Sequence, residues 1–378
     1  RPIYAWRGAD VRNILDFEEH YPESTVIKLE RNYRSTQPIL SGASAVVANN
    51  VERKDKRLFT EQEGGDLIQF FEADDDREEA SHVIRKIATA CSQDARSYSN
   101  FAILYRTNAQ SRTFEEELLK YDMPYAVVGG VRFYDRAEIK DAMAYLRLLI
   151  NPSDDQALLR IGNKPARGIG KTTMDKVSII AARKQIAMMA GLREFGAEAA
   201  ARVSGKIGDF LALLDELGGE AQRRPLDQLF GRLLERTGYL DSLEKEGTPE
   251  AEARRDNLME LMASARDFHL ANQDAPDEER SELELFLDQV ALISDLDSWE
   301  DRSERVSLMT VHSSKGLEFP VVFLVGMEER LFPHASSAGD EEGIEEEFRQ
   351  LQSDLRRWYL DKNHVEDSEH EAGRSGGT

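Results

Sequence analysis

Two short apolar runs, Val306–Thr310 (VSLMT) and Val321–Val325 (VVFLV), bracket a polar segment and constrain this chain more than any other feature. Runs this short and this rich in β-branched residues read as strands buried on both faces, the pattern of a parallel sheet covered by helices. Between them Thr310, His312, Ser313, Ser314 and Lys315 crowd together, Gly316 closes the group, and Glu318 starts the next strand. Donors clustered between two rigid strands suit an anion, phosphate above all. A solvated loop is the plainer reading of any one of these residues; their consecutive placement favours a site.

The rest of the chain repeats the strand signal in four places. Thr25–Leu29, Leu67–Phe71, Phe101–Tyr105 and Tyr125–Val128 read as strands. They alternate with helical patterns capped at Ser35 or Thr36 and spanning Glu78–Cys91, Ala109–Tyr121 and Ala137–Ile150. An earlier helix is expected from Val11 to about Glu19, behind Asp10. Strands alternating with helices imply a parallel sheet with right-handed crossovers. Asn151-Pro152 breaks the pattern, and from about 153 to 300 only helical runs remain: Thr172–Ala190, Ile207–Leu217, Leu226–Arg236, Ala251–His269 and Ser281–Ile293. A sheet that stops for helices and then resumes predicts an α/β fold interrupted by a mostly α-helical inserted domain. The expected boundaries are 1–22, 23–151, 152–301 and 302–347, with a divergent, partly disordered tail at 348–378.

Composition narrows the partners. The 378 residues carry a formal net charge of −22, which argues against a general coat for nucleic acid but leaves room for a local basic groove. The single cysteine, Cys91, excludes internal disulfides and cysteine-rich metal sites, and its phase with Val83, Ile84 and Ile87 reads as core. The histidines show no metal-ligand spacing, so no metal site is expected. No apolar run reaches membrane-spanning length and no signal sequence opens the chain, which predicts a cytoplasmic protein with no membrane partner.

GIGKTT at Gly168–Thr173 invites a phosphate-loop reading, but that loop needs a glycine where Pro165 stands and a buried strand upstream, which ALLRIGNKPARGIG does not offer. The segment reads better as a tight turn, Gly168-Ile169-Gly170, opening a helix through Lys171 and Thr172. Its backbone amides and the helix dipole would meet a nucleic-acid phosphate, with Lys164, Arg167 and Lys171 alongside. Tyr4, Trp6 and Arg7 put two aromatics and a cation within four residues, a composition that stacks on unpaired bases and takes a phosphate. Tyr33 and Arg34 follow one strand; Arg106, Asn108 and Arg112 follow another. With the Thr310 group they are expected at one edge of one sheet, where α/β folds bind ligands.

These motifs, in order, carry a resemblance: IYAWRGAD, LERNYRST, YRTNAQSR, VVGGVRFYDRAEIKDAMAYLR, PARGIGKTT and LMTVHSSKGLEFPVVFLVGMEERLFPH. Together they closely resemble superfamily 1 DNA helicases of the UvrD/PcrA/Rep group, from residue 1 to about Glu347. The resemblance implies two RecA-like motor domains, each with an insertion, and ATP between them. This chain looks like the end of the first motor domain (1–22), the second RecA-like domain and its helical insertion.

Residue roles follow from the resemblance alone. Tyr4, Trp6 and Arg7 match residues that engage single-stranded bases. Tyr33 matches a residue stacked on adenine, Arg34 one reaching the γ-phosphate, and Glu318 a carboxylate on the ribose. Arg106 and Asn108 match contacts to the single strand, Thr310 and His312 contacts to the DNA backbone, and Gly168, Ile169, Gly170, Lys171 and Thr172 a duplex contact. Ungapped counting sets the family's second catalytic arginine at Arg357, within EEEFRQLQSDLRRWYL, which departs from the family's pattern. The phosphate-binding loop and the carboxylates holding Mg2+ would belong to a missing N-terminal motor domain. The implied function is an ATP-dependent 3′→5′ DNA helicase, a DNA-repair type of activity, acting on single-stranded and forked DNA, with this chain inactive alone. A non-catalytic DNA-binding module and a helicase–nuclease subunit are the alternatives.

Overall fold

A computed structural model describes residues 20–25, 27, 30–33, 35–48, 58–62, 64–273, 280–296, 304–328 and 331–332. In chain order the elements begin with β1 (Arg31–Asn32), α1 (Gln37–Val47), β2 (Phe59–Thr60), α2 (Asp76–Gln93), β3 (Phe101–Tyr105), α3 (Ser111–Lys120) and β4 (Tyr125–Val127). Helices follow without strands: α4 (Ala137–Ile150), α5 (Asp155–Ile161), α6 (Lys171–Lys184), α7 (Met188–Glu198), α8 (Ala201–Ala221), α9 (Leu226–Thr237), α10 (Tyr239–Glu246), α11 (Pro249–Asn272) and α12 (Glu282–Leu296). Then β5 (Val306–Thr310) and β6 (Val321–Leu324) return. Two compact units are formed, one by the described residues within 1–107, 121–129 and 303–378, the other by those within 108–120 and 130–302.

The first unit holds a four-stranded parallel sheet in the order β4-β5-β3-β6. β3 is buried throughout because it is flanked on both sides, by β5 and β6. β5 is mostly buried, whereas β6 is only half-buried along its length. Position explains this departure from the expected double burial: among the described residues β6 is an edge strand, with one neighbour. Ala43 of α1 packs with Ala102, Leu104, Met309, Val311 and Phe332 against this sheet. α2 is amphipathic, burying Ala80, Val83, Ile84 and Ile87, and the Asp75 carboxylate caps it by accepting the Glu78 N–H at 2.7 Å. Cys91, one turn beyond that stripe, is only partly buried and not in the core that its phase predicts.

Two expected strands differ. Residues 64–73 run without strand pairing; Leu67 and Phe70 are 79% and 85% exposed, while Phe71 stacks on His82 with centroids 3.6 Å apart. Among the described residues no strand lies beside this run to complete a ladder, and the pairing with β1 occurs instead at Phe59–Thr60. Near Thr25–Leu29, the described strand falls at Arg31–Asn32, pairing in parallel with β2 in a separate two-stranded sheet. The expected helix 11–19 lies outside the described residues, as does the tail.

The second unit is helical. α4 is its most buried helix, with Ile139, Ala142, Tyr145 and Leu146 all inside, and even Glu138 and Asp141 covered. A helix apolar nearly all round must be surrounded. It packs against α5, α8, α11 and α12, so residues 137–150 sit with the helical block that the sequence opens at 152. The expected helix 172–190 is two: α6 ends at Gln185, which takes a left-handed φ of 52°, and α7 starts at Met188. α5 and α10 are additional short helices. Among the described residues, no helix is long and apolar enough to cross a membrane, and no group of acids, histidines or cysteines could hold a metal.

Candidate nucleic-acid interface

The polar group after β5 is a built turn. Ser313 donates its backbone N–H to Thr310 Oγ1 at 3.1 Å, and the two hydroxyls lie 2.9 Å apart. Ser314 donates its hydroxyl to the Val311 carbonyl at 2.8 Å and is buried. Gly316 takes φ +96°, which closes the turn where a side chain would strain it. Gly129 backs the turn at φ +78°; a Cβ there would stand 3.0 Å from Ser313 Oγ.

Register sets what lies beside this turn. β3 and β5 pair Tyr105 with Thr310, and the Val311 N–H reaches the Tyr105 carbonyl at 2.8 Å. Both strands run the same way, so Arg106 and the Thr310–Gly316 turn leave at one edge of the sheet. β6 ends on this edge too, its Val325 N–H bonded to the Leu104 carbonyl at 3.0 Å. There Gly326 donates to Glu79 at 3.0 Å; burial, the largest influence, holds the Glu79 carboxyl above its ordinary value. Glu318 is exposed on the approach to β6 rather than within it, because pairing begins at Val321.

Tyr33 does not join that edge's ladder: β1 belongs to the other sheet, so only two of the three expected strand-end groups share a sheet. Tyr33 as a residue is 70% exposed even with the Arg31 guanidinium 4.7 Å from its ring centroid. Tyr4, Trp6, Arg7, Arg34 and Arg357 lie outside the described residues.

In the helical unit, two cations read as phosphate ligands turn inward. Arg112 is 2% exposed, donating to Glu260 at 2.7 Å and Glu116 at 3.1 Å. Burial opposes its charge, but the two carboxylates outweigh it and hold the guanidinium protonated. Asn108 is exposed, and its carbonyl accepts from Arg136 at 3.0 Å. Arg167 stacks over Phe210 at 4.4 Å, donates to the Lys164 carbonyl at 2.7 Å and bonds the Tyr145 hydroxyl. Lys164 pairs with Asp141 at 3.3 Å. Residue type alone cannot reveal Glu260, Tyr145 or Asp141, which come from other helices.

The Gly168 turn is bound from within. Asn163 Oδ1 accepts the N–H groups of Arg167, Gly168 and Ile169 at 3.0, 2.9 and 3.2 Å. Ile169 is buried, Gly168 takes φ +79°, and Gly170 is the N-cap of α6 with no side-chain cap. Lys171 and Thr172 begin the helix, exposed. Sequence reading missed Asn163 and also Lys206 of α8, whose ammonium fills the space a Gly168 Cβ would take. The only sequence signal for Asn163 is an amide just upstream of a glycine turn.

Residues 27–351 match the family model described as the UvrD-like helicase C-terminal domain. The chain belongs to that family. Curated relatives in this family include the ATP-dependent DNA helicase PcrA of Staphylococcus epidermidis, 43% identical over 350 residues, and that of Staphylococcus aureus strain MRSA252, 44% identical over 348. The alignments cover 92% and 91% of this chain but 47% of each relative, so the chain spans about half the length of the curated relatives it matches. As a UvrD-like C-terminal domain, it is a mixed α/β protein with parallel sheets, as its strands predict.

Proposed function

We propose that this UvrD-like domain is the second, RecA-like motor lobe of an ATP-dependent DNA helicase, with the helical unit as its inserted arm. The full assembly would move 3′→5′ along a single strand and open forked DNA in the cytoplasm, in repair. The observation that supports this most is the β3–β5 register, which sets Arg106 beside the Thr310–Gly316 turn at one sheet edge. Parallel strand ends are where such sheets hold phosphates.

In this reading Thr310 and His312 contact the DNA backbone, Arg106 and Asn108 the single strand, and Tyr4, Trp6 and Arg7 the bases. Tyr33 keeps enough open ring for a purine to stack, and Glu318 is exposed enough to accept a ribose hydroxyl, so both suit ATP. Arg34, and Arg357 with it, would meet the γ-phosphate. ATP, when bound with Mg2+, supplies the free energy of hydrolysis. The phosphate-binding loop and Mg2+ ligands would come from a first motor domain, since GIGKTT is a turn and not that loop. Lys171 and Thr172, with Gly170 at the start of α6, would touch the duplex; Ile169, expected there too, is buried, and Gly168 shapes the turn behind them.

Purified chain, with and without a separately made first motor domain, tests this. We expect DNA-stimulated ATP hydrolysis only from the mixture. Hydrolysis by the chain alone would overturn the division of labour, and silence from a mixture that forms a complex would favour a module that binds DNA without turnover.

A further inference from the structure

We infer that Asn163 is the positioning residue of the Gly168 turn, holding its amides closed so that only the start of α6 faces DNA. The inference rests on the turn being a duplex contact. Three successive backbone N–H groups converging on one point form the kind of concavity that ordinarily takes an anion. Here the occupant is the protein's own carboxamide oxygen, which accepts from Arg167, Gly168 and Ile169 together. An amide oxygen has two lone pairs, so three donors on it are a full complement and more.

Two consequences follow. The amides of Arg167, Gly168 and Ile169 are committed inward and cannot bind a phosphate. The loop from 163 to 169 becomes a closed ring, which fixes the direction in which the chain enters α6. Buried Ile169 and the Arg167 guanidinium stacked on Phe210 hold the ring from behind. What remains for a phosphate is the uncapped first turn of α6, with Lys171 exposed beside it. Without the clamp, the three amides turn to water and the helix start samples many directions, and a pre-set contact is lost.

Asn163→Leu keeps the shape and removes the acceptor; Asn163→Asp keeps an acceptor and strengthens it with charge. In the whole 378-residue chain, amide hydrogen exchange at Gly168 and Ile169 should accelerate in Asn163→Leu and stay slow in Asn163→Asp. Affinity for a hairpin duplex should fall on the order of tenfold in Asn163→Leu, while oligothymidylate binding is unchanged. Asn163→Asp should recover most of the duplex affinity. Wild-type duplex binding by Asn163→Leu overturns the inference, and so does equal loss on both DNAs that Asn163→Asp fails to rescue. Lys171→Ala separates this from the underlying reading. It should weaken duplex binding and reduce its salt slope by roughly one; no effect there sinks the duplex contact itself, leaving hydrogen exchange to judge the clamp.

Discussion

Arg112 shows how little a side chain's type says about its use. A guanidinium two turns beyond a strand end looks like a phosphate ligand, yet Glu260, far along the chain, takes it inside. Replacing it by methionine leaves two carboxylates without their cation and should cost about 2–4 kcal/mol in a urea melt. Lysine should not restore this, because it cannot fork onto two carboxylates. Thr310→Val removes the acceptor for the Ser313 N–H and should cost about 1 kcal/mol, with single-strand binding falling alongside. At Glu79 burial raises the carboxyl's pKa, so the folded state resists ionisation; its contribution to stability is greatest below the ordinary carboxylate value and is lost as pH rises through the raised one. Glu79→Gln keeps an acceptor for Gly326 and should therefore stabilise the chain at neutral pH, with the gain vanishing in acid. A melt series across pH reads this directly.

Among elements, the legible ones were those whose own residues decide them. β3 and β5 begin and end where their apolar runs do, and α4 spans 137–150 as its periodicity predicts. Elements decided by distant partners were not legible. Leu67–Phe71 has the composition of a strand but no ladder to join, and the break at Gln185 carries neither glycine nor proline to announce it. At the site, the Thr310 turn and the Gly168 turn could be found from their residues, while the inward turn of Arg167 required the packed helices and Asn163, though local, required the turn's backbone geometry. Glycine positions separate in the same way. Gly168→Ala meets both a left-handed φ and Lys206, and should weaken duplex binding more than single-strand binding, whereas Gly170→Ala meets no atom and an ordinary φ and should fold as the parent does. Gly129→Ala forces φ +78° on a side chain facing Ser313 and should cost about 1–2 kcal/mol by thermal melt.

At the scale of the molecule, β3 and β5 are paired across some two hundred residues, most of them in the helical unit. Closing so long an interval costs entropy before any ladder bond repays it, so the sheet is expected to be the slow step in refolding. Stopped-flow signals from the helical unit should precede those from the sheet. The strand order carries a biosynthetic consequence. Among the described residues β3 and β4 do not pair with each other; every pairing in that sheet uses β5 or β6. Until β5 has left the ribosome, β3 and β4 are two sticky ribbons that do not zip to each other, and a premature stop between β4 and β5 should yield material destined for chaperones or inclusion bodies.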